Sequence, residues 1–539
     1  MSVFAYMPYG ADGIIIRVET DIRRGIPGVD ISGLAEGAVR EARDRVRAAF
    51  RNSGFDFPQD RILINLAPAG LKKDGAALDL PIALSVMAAA GIVSISGNLL
   101  VMGELELSGR IRPVRGVLAA IASGLTEGIT EYIVPAENSG EAAILKEKGA
   151  RFTAAESLKA AVHALVIRDE NGVLPESGNF TEITGIDNIN MGTTGDFSDI
   201  RGQVNYKRAL EIAAAGGHNV LVFGPPGAGK TMLARRLPAI MAPLSSNEAV
   251  EVTRLHSLAG PNSNNGGFID RLITCPPFRS PHHTASAEGI LGGGRNPRPG
   301  EISLAHYGIL FLDEAPEFRI NVLQALREPL EDRVISIARA DGFLRFPAEF
   351  QLLLAANSCR CGKLGMSENS GVCLCSPEEI NRYWRKFGGA LLDRIEIRAA
   401  VLPPKIEEMS GKLSSGGREN AVSESAIIAA RVKKAIEIQR RRFKGTGIRR
   451  NAMIPANRAS SMCPMSERAE NAYNTAVSRL GLSGRAYHGI LRTARTIADL
   501  ECKDVIETEH ILEAIQHRRL GDDPWDIISM QVSLQEPHR

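Results

Sequence analysis

The stretch NVLVFGPPGAGKTMLARRL, residues 219–237, constrains the fold of this chain more than any other. Val220 to Phe223 form an apolar run, a glycine-rich turn follows, and a helix-prone segment comes next. Gly224, Gly229, Lys230 and Thr231 fit G-x-x-x-x-G-K-[ST] in the strand–loop–helix setting that the motif requires. The loop Gly224, Pro225, Pro226, Gly227, Ala228, Gly229 would turn its backbone N–H groups inward around phosphates. Lys230 would place a point charge at the β and γ oxygens, and Thr231 a hydroxyl on Mg²⁺. The following helix adds the partial positive charge of its N-terminus. Nucleoside triphosphate binding on a parallel sheet is the expectation.

Hydrolysis needs a second element. GILFLDEAPEF (308–318) supplies one, an apolar strand ending in two acids. Asp313 would hold Mg²⁺ through its shell, and Glu314 would polarise the attacking water. FQLLLAANS (350–358) reads as a further buried strand, and Asn357 at its end stands where a γ-phosphate sensor is expected. The bland alternatives are an acidic turn and a strand-end asparagine.

The 539 residues suffice for about three domains. A formal net charge of +2 advertises no nucleic-acid or membrane partner in bulk, so any such contact must come from local patches. Seven cysteines, four of them clustered, behind an N-terminus without a signal-peptide pattern suggest a reducing cytoplasm. The most apolar run, LDLPIALSVMAAAGIVSI (78–95), reads as a buried helix rather than a membrane span.

Residues 1–165 alternate strands and helices, residues 166–200 read as a polar linker, and residues 201–402 carry the nucleotide motifs on alternating strands and helices. Residues 403–522 turn helical, and 523–539 form a tail. Two interruptions sit inside the central region. Residues 258–300 are rich in Gly, Asn and Pro and include FRSPHHTAS. Residues 332–350 alternate around Asp341-Gly342, a hairpin signal that puts Arg339 and Arg345 near its tip.

Together the P-loop stretch, FRSPHHTAS, ILFLDEAPEF, GALLDRIEI and RAYHGILRTARTIADLE resemble the magnesium-chelatase-like AAA+ ATPases of the YifB/ComM group over essentially the whole chain. The resemblance implies an α/β fold, with an AAA+ parallel-sheet core and a small helical lid. It implies ATP and Mg²⁺ as cofactors, and a homo-oligomeric, hexameric ring. For ComM-like members it implies a DNA branch-migration helicase. Arg394 in LLDRIEI resembles an arginine finger, and Arg485 in SGRAYHGIL the sensor arginine of the lid. The two interruptions resemble inserts that point into the ring pore. A magnesium-chelatase motor subunit and an ATP-driven protein remodeller stay open as alternatives. The N-terminal domain speaks against the chelatase reading, on the expectation that chelatase motors lack one.

Residues 1–165 are similar to the Lon protease domain, which implies a Ser–Lys dyad. In GLKKDGAALDLP (70–81) the nucleophile position holds Ala77. In GRIRPVRGVLAAIASG (109–124), Leu118, Ala119 and Ala120 stand where a lysine would lie. Without either group no proteolysis is expected, leaving a structural or docking platform.

Cys359, Cys361, Cys373 and Cys375 form a C-x-C…C-x-C pattern that suits tetrahedral Zn²⁺, with a reduced thiol cluster or redox-labile loop as alternatives. Cys275, Cys463 and Cys502 read as packing residues, and His282 and His283 lack further ligands at workable spacing. The basic run 431–450 is either a solvated helix face or a phosphate-backbone contact.

Overall fold

Period-two alternation in the N-terminal strands fits a sheet with a covered face. In Ile14–Arg23, Ile16 and Val18 are buried while Arg17 and Glu19 face solvent. The computed structural model describes residues 2–35, 37–73, 75–95, 97–175, 195–260, 268–294, 297–339, 342–364, 372–402, 423–480 and 482–519. Seven N-terminal strands pair in the order Gly28–Ser32, Arg61–Ala67, Ile14–Arg23, Ser2–Met7, Asn98–Val101, Glu131–Pro135, Arg151–Ala155. Helices Gly37–Asn52 and Asp79–Ala89 cover one face with Val39, Val46, Phe50 and Ile82. Helix Val117–Thr126 covers the other against Tyr6, Leu100 and Tyr132. The apolar run at 78–95 is thus a core helix, and among the described residues no helix is long and apolar enough to cross a membrane.

Helix Leu158–Asn171 starts on Ser157, whose side chain accepts from Ala160 N–H, and continues past the expected boundary at residue 165. The apolar periodicity of KAAVHALVI carries it into the first residues of what was read as linker, to Asn171. At the linker's other end Phe197 is fully buried in the core of the next unit. Residues 176–194, like 403–422 and the tail 523–539, lie outside the described residues.

The second sheet has the order Phe278–Arg279, Ile309–Leu312, Gln351–Ala356, Val220–Phe223, Ile397–Ala400, every pair parallel. Its strands Val220–Phe223 and Ile309–Leu312 are apolar at every position, and Gln351–Ala356 is buried throughout, because helices cover both faces. The lid helices Glu424–Arg442, Ala456–Met462, Glu467–Leu480, Gly484–Leu500 and Thr508–Arg519 share one core with this sheet, through Val432, Ile436, Ile490 and Ile497 against Leu210 and Val220. The insert 258–300 holds the edge strand Phe278–Arg279, helix Ala287–Leu291 and a ribbon of Gly292–Gly293 with Arg298–Pro299.

The hairpin expected around Asp341-Gly342 joins Val334–Arg339 to Gly342–Pro347 in antiparallel register, with residues 340 and 341 outside the described set. Ile335, Leu344 and Phe346 are buried; Ser336, Ala338, Phe343 and Arg345 face out. Leu344 and Phe346 pack with Leu255 of helix Ser246–Ala259 and Ala11 of the N-terminal domain. Burying two such side chains contributes about 1.5–3 kcal/mol each. Ala11 N–H donates to Arg345 O at 3.1 Å, so the hairpin's open edge pairs with the N-terminal domain. The same helix inserts Leu258 into the N-terminal core, and Ser257 donates to the buried Glu141.

The buried Asp79 carboxylate receives Arg45 Nε at 2.7 Å, Arg45 Nη2 at 2.9 Å and Leu105 N–H at 3.3 Å. Burial raises its pKa, and Arg45 opposes that shift. Asp79→Ala would strand the guanidinium, which keeps some contact with water. A loss of about 3 kcal/mol is expected, the lower end for a broken buried pair. Urea denaturation checks it; an unchanged midpoint would mean that the pair adds nothing net.

Candidate nucleotide site

Parallel strands bring their C-terminal ends to one edge of the sheet. Gly224 follows Phe223, Asp313 follows Leu312, and Asn357 follows Ala356, so three loops distant in sequence meet there. Lys230 Nζ donates to Asn357 Oδ1 at 3.1 Å and to the carbonyls of Gly224 and Pro225 at 2.7 and 2.8 Å. Thr231 Oγ1 donates to Asp313 Oδ2 at 2.7 Å, placing a hydroxyl and a carboxylate together as an octahedral cation needs. Burial pushes the Lys230 pKa down to about 8, against the pull of Asp313 and Glu314.

Glu314 is exposed and left-handed, with φ 48°, and its N–H donates to Asp313 Oδ1 at 3.0 Å. A non-glycine residue there stores about 1–3 kcal/mol of strain, a common feature of functional turns. At Gly224 a Cβ would lie 2.0 Å from Val401 O, so only glycine lets the loop leave the strand this close to its neighbour. Gln203 was not anticipated. Its amide donates to Ala228 O at 3.2 Å and Leu402 O at 2.7 Å, fastening the loop to the adjoining strand's exit.

Arg394 and Arg485 are elsewhere. Arg394 precedes strand Ile397–Ala400, at the sheet edge opposite the phosphate loop. Four residues of strand separate the two edges by about 13 Å. Arg394 Nη2 lies 2.8 Å from Glu331, and Arg485, in the first turn of helix Gly484–Leu500, pairs with the same carboxylate. The two arginines therefore form one unit, in a cleft of ≈ 490 Å³ that also takes in His488 and Arg492 and that no residue of 224–231 lines. Nothing in the local sequence singled out Glu331.

The four cysteines converge: their sulfurs lie within 4.8 Å of one another, and none is in a disulfide. Among the described residues this is the only group of three or more His, Cys, Asp or Glu side chains close enough to share an ion. His282 and His283 stack on each other at 4.1 Å. The basic run is partly spent inside the chain, with Arg431 on Glu211, Arg442 on Asp499, and Arg449 on Glu248 and Glu349. Arg339 also turns inward, donating to Gly294 O, which corrects the expectation of a free cation at the hairpin tip. Strand parity explains it, since Arg339 shares a face with Ile335 and Ile337.

In the N-terminal domain, Ala77 packs against the cluster that contains Leu118, Ala119 and Ala120. The two positions at which a Ser–Lys dyad is expected thus belong to one apolar cluster.

Three family models match the chain. Magnesium chelatase, subunit ChlI, covers residues 196–409; subunit ChlI of Mg-chelatase covers 18–138; and the ChlI C-terminal model covers 422–518. The second corrects one expectation: the N-terminal region itself matches a chelatase-subunit model, so its presence does not speak against a chelatase reading. The chain is 39% identical over 514 residues to the uncharacterized protein YifB of Salmonella typhimurium, covering 95% of both chains. It is 38% identical over 520 residues to the competence protein ComM of Haemophilus influenzae, covering 96% of this chain and 97% of that protein. Lon protease 2 of Bacillus subtilis is 30% identical over 149 residues, 27% of this chain and 26% of the protease. Identity at this level over nearly the full length of both chains shows kinship, and the chain belongs to the YifB/ComM family of magnesium-chelatase-like AAA+ ATPases.

Proposed function

We propose that the chain is an ATP-driven ring motor that remodels DNA, with the nucleotide shared between neighbouring copies. Lys230 and residues 224–229 bind the phosphates, Thr231 and Asp313 hold Mg²⁺, Glu314 orients the attacking water, and Asn357 senses the γ-phosphate. Arg394 and Arg485 belong to the neighbour's site, because Arg394 starts at the far edge of the sheet and cannot reach its own phosphate loop. The four cysteines hold a structural Zn²⁺. The apolar residues at 77 and 118–120 leave no group to attack a peptide, so the N-terminal domain is a platform.

The observation that favours DNA is the outward face of the hairpin. Phe343 is 71% exposed there, two residues from the exposed Arg345 and opposite the small side chains Ser336 and Ala338. An open aromatic ring beside a cation suits stacking on a base with a phosphate next to it. The competence protein among the relatives agrees with that substrate.

Without nucleotide, burial holds the Lys230 pKa down to about 8. Below that it is charged; above it, binding a polyphosphate must also take up a proton. Affinity for a non-hydrolysable Mg·ATP analogue is expected to be flat below pH 8 and to fall toward tenfold per pH unit above it. Lys230→Arg, always charged, should lose the break. Titration calorimetry checks this, and a flat wild-type profile to pH 9.5 would mean that burial does not depress the Lys230 pKa.

Arg394→Ala should bind ATP normally and hydrolyse it at least 100-fold more slowly, as loss of an arginine finger does. Mixing it with Lys230→Ala protein should restore part of the rate, since some interfaces then join an intact loop to an intact arginine. Absence of rescue, with both variants assembled in sedimentation, would rule out action in trans.

Phe343→Ala should weaken single-stranded DNA binding by about 1–3 kcal/mol with little change in salt dependence. Arg345→Ala should lower the salt slope by about one counterion. Basal ATPase should stay as it is in both. Unaltered DNA binding in both would take the hairpin out of the DNA path and favour the protein-remodelling reading.

A further inference from the structure

The cysteine cluster is built into the nucleotide site. Cys359 is two residues beyond Asn357, which accepts the Lys230 hydrogen bond. Between them, Ser358 O accepts from Trp384 Nε1 at 3.0 Å, and Trp384 packs edge-on against Phe223, the last residue before the phosphate loop. Gly362 N–H donates to Cys359 O at 3.0 Å in a turn that seats Gly362 against the loop. A Cβ on Gly362 would lie 2.9 Å from Pro226 Cδ. On the far side of the cluster, Cys375 runs into the capping box of Ser376 and Glu379, which starts the helix carrying Trp384. Both arms of the cluster therefore end on the phosphate loop or on the strand that leads into it.

Burial holds one arm of this loop, with Cys359 and Leu364 in the core, but it does not account for the other. Val372 and Leu374, which alternate with Cys373 and Cys375, are 70% and 90% exposed, so that arm turns sulfur inward and its apolar side chains outward. The separations Cys359–Cys361, Cys361–Cys373 and Cys359–Cys373 are 3.3, 3.5 and 3.6 Å. Disulfide sulfurs sit about 2.05 Å apart, whereas tetrahedral Zn–S bonds of about 2.3 Å put sulfurs about 3.8 Å apart. With every sulfur within 4.8 Å of the others, the cluster fits one ion and leaves no room for an iron–sulfur core.

We propose that the Zn²⁺ held by Cys359, Cys361, Cys373 and Cys375 is a splint for ATP turnover: it fixes Asn357 and, through Gly362, Pro226 where the γ-phosphate needs them. This rests on the reading of Asn357 and the four thiolates given above. Asn357 touches the reacting phosphate; the cysteines and Gly362 act through it and are positioning residues. The ion takes no part in the chemistry.

Two variants of the full-length protein test it. Cys373→Ser with Cys375→Ser removes the ion. Gly362→Ala keeps all four ligands but presses on Pro226 and strains the turn itself, since Gly362 has φ +76°. Elemental analysis should find about one Zn per chain in wild type and Gly362→Ala and none in the double variant. Both variants should lose at least tenfold in kcat, and circular dichroism should show a folded core in each. ATP affinity should stay within about threefold, since Lys230 and the loop N–H groups remain. Zinc-free or iron-loaded wild-type protein would overturn the metal assignment, and wild-type kcat in the zinc-free double variant would overturn the splint. Asn357→Ala separates the underlying reading: wild-type turnover there would sink the sensor role while leaving the metal count unchanged.

Discussion

Everything that touches nucleotide in this chain depends on five strands pointing the same way. A parallel sheet has one edge at which all strands end and one at which all begin. The ending edge gathers Lys230, Thr231, Asp313 and Asn357, whose mutual hydrogen bonds span three strands. The beginning edge holds Arg394, and Glu331 draws Arg485 to it. About 13 Å of strand lies between the edges, longer than any side chain. A site that uses both edges therefore needs two copies of the sheet, and this constraint follows from strand direction alone.

The same geometry explains what was legible in the sequence. Asp313 and Asn357 each follow an apolar run, and Lys230 and Thr231 close the glycine-rich loop that follows another, so local pattern plus the parallel-sheet rule suffices to place them together. The fold class was readable for the same reason, since strand and helix periodicities differ. Glu331 was not readable: its partner Arg485 is 154 residues away, and an acid near the end of a short helix has no local mark. Gln203 was hidden in the same way, since both carbonyls it binds belong to other segments. The inward turn of Arg339 could have been read. Ile335, Ile337 and Arg339 share a parity, and the apolar pair decides which face is buried.

The lid is not a separate body in packing terms. Its helices share one apolar cluster with the sheet, and His218, two residues before the strand that leads to the phosphate loop, joins Glu396 at 2.5 Å and Thr496 at 2.7 Å. That buried contact ties the lid helix Gly484–Leu500 to the sheet edge from which Arg394 emerges. Glu396 also meets Arg492 in the cleft of Arg394 and Arg485. The position of the two arginines is thus set by the lid and the sheet together.

The N-terminal domain is joined to the rest of the chain by packing. Ala77 and Leu118, at the positions where a dyad is expected, share an apolar cluster that also receives Leu258. Glu141, buried in that seam, accepts from Leu118 N–H at 2.7 Å, from Asn138 at 3.1 Å and from Ser257 across the domain boundary. Arg254, on the same motor helix, pairs with Asp12 at 3.1 Å. The loop around Ala11 then closes the free edge of the hairpin strand Gly342–Pro347. An unpaired edge strand invites pairing with another chain. The backbone contact from a second domain at Arg345 occupies part of that edge, and the outward face with Phe343 and Arg345 stays exposed.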